Sequence, residues 1–365
     1  MKKVLYFVQL PLPRHGVSVL NEIISESKVI NEGIEKNILP IRFTSNHQDL
    51  NKVSFGKLLA MFKLAFQLII RLFTFRPNVA YFTLTPSGVA FLRDLLFVSI
   101  FKLFRIKVIY HLHGVGIAKS IENKTWLRKL YRYAFRNATI IHLSKGLLKS
   151  EVLDTFPEFN KTSYSLVNGV DSLRVEKTVI DDRKNILFLS NLKRSKGIFD
   201  LLTIFKGIHN EFPDAHLNIA GGSTSVQVDE EIKNNIKSLG LYDSITLHGF
   251  VGGEKKQELL ANADLFLHPT HDDALPLVLL EAMKYGIPII ATDIGAIAEI
   301  IENAVNGYVC EPMNCQEMIY KSIQLLNSPD ECSNIEENAT RLFDEKYSLE
   351  VFQKEFKLIL HNTFK

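Results

Sequence analysis

ADLFLHPTHDDALPLVLLEAMKYGIPIIATDIGAIAE, residues 263–299, reads as a strand, a polar loop, a helix, a second strand and a further loop. Leu265-Phe266-Leu267 is a short apolar run suited to a buried strand, and His268-Pro269-Thr270-His271-Asp272-Asp273 breaks it. Pro276 is expected at the first helical position, where its fixed φ helps and its missing N–H costs nothing. Leu277 to Met283 is apolar around most of the helix, and Glu281 is its one charged residue. A carboxylate in that setting needs a partner, and the expectation is that a ligand supplies it.

Asp273 and Glu281 stand eight residues apart, one before the helix and one about a turn inside it. Between them the N–H groups of Leu275, Leu277 and Val278 face the loop, with the positive end of the helix dipole behind them. Such an end seats a phosphate. Two flanking carboxylates add acceptors for hydroxyls, so a diphosphate carrying sugar hydroxyls is the natural ligand class. The alternative is an ordinary buried helix whose Glu281 caps a neighbouring backbone.

Outward from this stretch, strand and helix alternate along the chain. Strands are expected at Val4–Leu10, near Leu39–Phe43, at Val79–Phe82, Lys107–His111 and Thr139–Leu143, with a last one ending at Asn168-Gly169-Val170-Asp171. Helices fall between them, among them Val17–Glu32 and a long one over Ser54–Phe75. The second half repeats the scheme, with strands at Asn185–Ser190, Ala215–Ala220 and Ile245–Leu247 before the opening stretch, and closing helices over 314–344 and 348–362. The pattern means an α/β fold of two doubly wound parallel-sheet domains, with ligand bound outside the strands' carboxyl ends. At 365 residues the chain exceeds one core. The division expected is 1–172, 173–345, and a terminal helix over 346–365 packing back on the first domain, with a polar linker near 170–183.

Charge divides the halves. Residues 1–172 hold 24 Lys and Arg against 11 Asp and Glu, a net of +13, while the remainder carries −10. The first half should therefore meet something anionic, nucleic acid or a membrane surface. Phe55–Phe75 and Phe91–Phe104 are very apolar, yet Lys57, Lys63, Arg71, Arg93 and Lys102 interrupt them, and no uncharged run approaches the roughly 20 residues of a span. Helices lying on an anionic membrane surface are expected over nucleic-acid binding; sheet-covering helices are the alternative. Three late cysteines, Cys310, Cys315 and Cys332, form no disulfide framework, which fits a reducing compartment. Val4–Val8 is shorter than a signal peptide's apolar core. A cytoplasmic protein, peripheral on the inner face of the membrane, is expected.

Ser190-Asn191-Leu192-Lys193-Arg194-Ser195-Lys196-Gly197 ends one strand and opens a helix, and its Lys196 and Arg194 could neutralise a diphosphate leaving group. With LSNLKRSKG, LNIAGG, LHGFV, DALPLVLLEAM, PIIATDIGAIAEII and NGY, and with PLPRHG, YHLHG and VNGVD in the first half, the chain resembles the family 4 retaining glycosyltransferases of GT-B architecture. The ordered set covers nearly the whole length.

The resemblance implies roles by position. Lys196 binds the donor's phosphates, Glu281 the nucleotide ribose and Asp273 the transferred sugar. Gly16 lets a first-domain loop reach the diphosphate, His113 sits beside the anomeric carbon, and Phe250-Val251 touches the base. The first domain receives a glycan or a polyprenyl or other lipid-linked acceptor in cell-surface polysaccharide synthesis. No metal or cofactor is implied, and no metal-ligand spacing appears. The chain departs from the family twice: Asn191 stands where the pattern has arginine, with Arg194 as the candidate replacement, and Asp273 is one methylene shorter than the usual glutamate. Two other readings keep the fold: a sugar-nucleotide epimerase or hydrolase, and a non-catalytic sugar-nucleotide-binding subunit.

Overall fold

A computed structural model describes residues 1–11, 16–42, 55–177, 183–223 and 225–365. It divides into two compact units: unit 1 comprises 1–169 with 350–365, and unit 2 comprises 170–349. The ends of the expected Leu39–Phe43 strand and Ser54–Phe75 helix, most of the PLPRHG turn and the middle of the linker lie outside the described residues.

In unit 1 the strands are β1 (Lys2–Val8), β2 (Ile34–Pro40), β3 (Val79–Phe82), β4 (Lys107–Leu112), β5 (Ala138–His142) and β6 (Ser163–Ser165). They form one parallel sheet in the order β2-β1-β3-β4-β5-β6. The last strand is shorter and earlier than expected; Asn168–Asp171 contributes only a bridge from Val170 to Ser348 in unit 2. Helices α1 (Gly16–Glu26), α2 (Phe55–Phe75), α3 (Gly88–Leu103), α4 (Ile117–Ile121), α5 (Thr125–Phe135) and α6 (Lys145–Leu148) connect them. A sheet covered on both faces reads as continuous apolar strands rather than alternating ones. Accordingly Val4 to Val8 are wholly buried, and the Phe7 ring packs 4.9 Å from Phe97 and 5.2 Å from Phe82.

In unit 2 the strands are β7 (Asn185–Leu189), β8 (His216–Ala220), β9 (Ile245–Gly249), β10 (Leu265–His268), β11 (Ile289–Thr292) and β12 (Gly307–Cys310). Their order is β12-β11-β10-β7-β8-β9, all parallel. The helices are α7 (Ile198–Glu211), α8 (Val226–Ser238), α9 (Gly253–Ala261), α10 (Leu277–Lys284), α11 (Ile297–Ile300), α12 (Cys315–Leu326) and α13 (Pro329–Leu342); α14 (Leu349–Phe364) ends the chain and belongs to unit 1 from Glu350 on. The expected single helix over 314–344 is two, broken at Asn327-Ser328, where Pro329 starts the second. This strand order is the doubly wound Rossmann arrangement. Its order reverses between β7 and β10, so the loops leaving those strands diverge and open a crevice at their carboxyl ends.

Candidate functional site

The residues that follow β7 and β10 meet at that reversal. Gly197 makes the approach possible: its φ is +74°, and a Cβ there would lie 1.7 Å from the Pro269 carbonyl oxygen. The two loops are joined by the His271 N–H donating to the Ser195 carbonyl at 2.9 Å. Gly295 does the same on the other flank, with φ +63° and the Asp273 carbonyl 2.2 Å from where a Cβ would be. No side chain larger than hydrogen fits either contact.

Lys196 closes the junction. Its ammonium lies 2.7 Å from the Asp273 carboxylate and 2.5 Å from the Asp272 carbonyl, and both charged side chains are about one-fifth exposed. Burial pushes the Asp273 carboxyl up, but the His268 ring and the Lys196 ammonium together more than offset this, leaving it below its usual value. The His268 Nε2 stands 3.7 Å from Asp273, too far for a hydrogen bond, so it acts as a dipole or a charge. His268 is fully buried, and neither ring nitrogen has a hydrogen-bond partner among the described residues.

Pro276 is the residue before the first turn of α10, not the first helical one, with extended backbone (ψ 117°). The first turn therefore begins at Leu277, where the Leu277 and Val278 amides point out of the helix end. Leu275 is buried, and Leu277 and Val278 are half-buried. Glu281 sits one turn in. Its carboxylate is paired with Lys256 of α9, whose ammonium lies 2.6 Å from one carboxylate oxygen and 2.5 Å from the other. The pair is about one-fifth exposed, and Glu281 Oε2 is buried, with no hydrogen bond among the described residues beyond its ion pair with Lys256.

The remaining candidates are spread more widely. Arg194 pairs with Glu231 of α8, and its guanidinium lies 4.5 Å over the Phe199 ring. Asn191 is exposed, Val251 is half-buried in the turn before α9, and Phe250 beside it is 79% exposed. In unit 1, Gly16 is the first residue of α1. His113 follows β4, its ring centroid 3.9 Å from that of His111. The His111 Nδ1 lies 2.8 Å from the Tyr81 hydroxyl, and burial first, then His113 and His142, hold its pKa well below the usual value. Lys256 and His268 were not singled out by the sequence. His268 could have been, as a histidine closing an apolar strand; Lys256 carries no motif.

Residues 170–342 match the sequence model of the family described as glycosyl transferases group 1. An uncharacterized glycosyltransferase of Haemophilus influenzae is 29% identical over 198 residues, 54% of each chain, so the chain spans about half that relative's length. N-acetyl-alpha-D-glucosaminyl L-malate synthase of Bacillus anthracis is 26% identical over 272 residues, 72% of this chain and 69% of that one. Among solved structures, Anabaena HepE in complex with UDP superposes with a TM-score of 0.73 over 99% of this chain and all of its own, at 19% identity, a likeness of fold. Residues 170–342, which fall within unit 2, are thus similar in sequence to the group 1 glycosyl transferases, and the chain as a whole has the GT-B fold of two Rossmann-like units.

Proposed function

We propose that this glycosyltransferase takes a sugar from a nucleoside diphosphate and passes it, with retained anomeric configuration and without a metal, to a glycan or lipid-linked acceptor held by unit 1. The observation that carries the reading is Lys196, a cation fixed at the strand-order reversal in front of the α10 amino end. Breaking the sugar–phosphate bond builds negative charge on the leaving diphosphate and positive charge on the ring. Lys196 and the Leu277 and Val278 amides oppose the first, as preorganised charges and dipoles that need no rearrangement during the reaction. In the ligand-free protein Asp273 neutralises Lys196; an entering phosphate competes for the ammonium and frees the carboxylate to accept a sugar hydroxyl. Glu281 accepts the ribose hydroxyls, oriented by Lys256. The departing phosphate takes the acceptor's proton, since no protein nucleophile is assigned.

UDP is the first nucleotide to try, because HepE was solved with it. A cell-surface polysaccharide or its lipid-linked precursor is the acceptor class proposed. The test is a panel of sugar nucleotides incubated with the protein, the released sugar followed by proton NMR before mutarotation. Slow hydrolysis of one donor, with its configuration kept and EDTA without effect, is expected; an inverted product would refute the mechanism.

A further inference from the structure

Unit 1 has a cavity of about 830 Å³ at the amino ends of β4 and β5, the edge of the sheet opposite His113. Its lining includes six cationic side chains, Lys102, Arg105, Lys107, Arg136, Lys161 and Lys365, and no Asp or Glu. Lys102 donates to the Arg136 carbonyl at 2.7 Å and Lys107 to the Thr363 carbonyl at 3.2 Å, so these cations are held by carbonyls rather than neutralised. Like charges gathered with no Asp or Glu side chain in the lining repel, and an anion relieves that repulsion.

An apolar face runs up to this cavity. On α2, Leu59, Phe62, Phe66, Ile70 and Phe73 follow at intervals of three and four, which puts them on one side of the helix, and each is between 44% and 64% exposed. Leu64, Leu68 and Leu72 bury the opposite side in the unit's core. Over Leu58–Phe75 the helix is long and apolar enough, by length and composition alone, to cross a membrane. Its packing on unit 1 through one face instead leaves the other to lie along a surface. Phe73 packs 4.8 Å from Phe104, the residue beside Arg105 of the cavity, and Leu103 is 78% exposed.

We propose that unit 1 docks on an anionic bilayer, with the outer face of α2 in the interfacial layer and the phosphate of an anionic lipid in the cationic cavity. Charge complementarity selects this occupant over a second copy of the chain, which would bring the same positive field to the contact. The inference is independent of the donor site in unit 2.

The full-length protein is floated with vesicles of phosphatidylcholine alone, or with one third phosphatidylglycerol, at low salt. Flotation with the anionic vesicles only is expected. Arg105→Ala with Lys161→Ala should weaken it roughly tenfold or more. Lys124→Ala with Lys129→Ala, an equal charge change at exposed positions just before and within α5, outside the cavity, should cost clearly less. Phe62→Ser with Phe66→Ser should abolish flotation while lowering the melting point only slightly, because both side chains are more than half exposed. Equal losses for the two charge pairs would reduce the cavity to diffuse charge and overturn its assignment. Glycerol phosphate raising the melting point of a protein that floats with neither vesicle would make it a soluble-phosphate site and overturn the docking. A dimer that Phe66→Ser dissociates would overturn it too.

Discussion

Lys256 of α9 holds both carboxylate oxygens of Glu281 of α10 within 2.6 Å, across 25 residues of sequence. A carboxylate on a buried helix is thus neutralised and aimed by a neighbouring helix before any ligand arrives, and its orientation becomes a property of how α9 packs.

Lys256→Ala should therefore act through Glu281. Leaving a partly buried charged group unpaired costs about 1–3 kcal/mol, read as a lower melting point. Donor KM should rise more than kcat falls, because the ribose contact is displaced while the phosphate contact remains. Adding Glu281→Gln should restore part of the lost stability but none of the affinity; a double-mutant cycle with no coupling would contradict the pairing.

Arg194→Ala should change little. Its partner is Glu231 and its side chain is 68% exposed, and such pairs contribute about 0.2–1 kcal/mol. Donor KM should stay within a few-fold of wild type. A loss matching that of Lys196→Ala would make Arg194 the substitute for the arginine that Asn191 replaces.

Gly197→Ala tests the junction of the loops. The backbone there is left-handed, which costs a side chain about 1–2 kcal/mol even in open space, and here the methyl would also overlap the Pro269 carbonyl. A clear drop in melting point with loss of donor binding is expected. Gly240→Ala, with φ +68° but nothing within 4 Å, should pay only the backbone cost.

Acid should loosen unit 1 earlier than its carboxylates explain. Burial pulls the His142 pKa from 6.5 down to about 4, while its Nδ1 accepts the Leu143 N–H at 2.9 Å. Between those values the unfolded chain takes up a proton that the folded chain does not, so stability falls as pH drops from 6.5 toward 4, by about 3 kcal/mol at most. His111 contributes with the same sign. His142→Asn keeps an acceptor for Leu143 and should flatten this part of the denaturation-versus-pH curve.

Much of this architecture could be read from residue order. The run Leu265–Leu267, the polar break and the buried helix to Lys284 follow from apolar periodicity and one proline, which are local signals. The position of Asp273 just ahead of α10 followed because a helix start after a strand end is itself local. Lys256–Glu281 was not legible, because the contact depends on α9 docking beside α10 and nothing in GEKKQELL marks one lysine over the other. The break before Pro329 is legible in the sequence, as proline at a helix start after Asn-Ser. The cationic cavity was invisible for a further reason, since its cations come from three separate strand approaches and the chain's end. Only their sum, the +13 of the first half, showed in the composition.

Calorimetric titration of UDP, GDP and ADP into the wild-type protein and Lys196→Ala bears most directly on the proposed donor seat. One nucleotide should bind the wild type, and the variant, still folded but with a lower melting point because Asp273 loses its partner, should bind it at least tenfold more weakly. Equal affinity in the two proteins would contradict the assignment of the phosphate to Lys196.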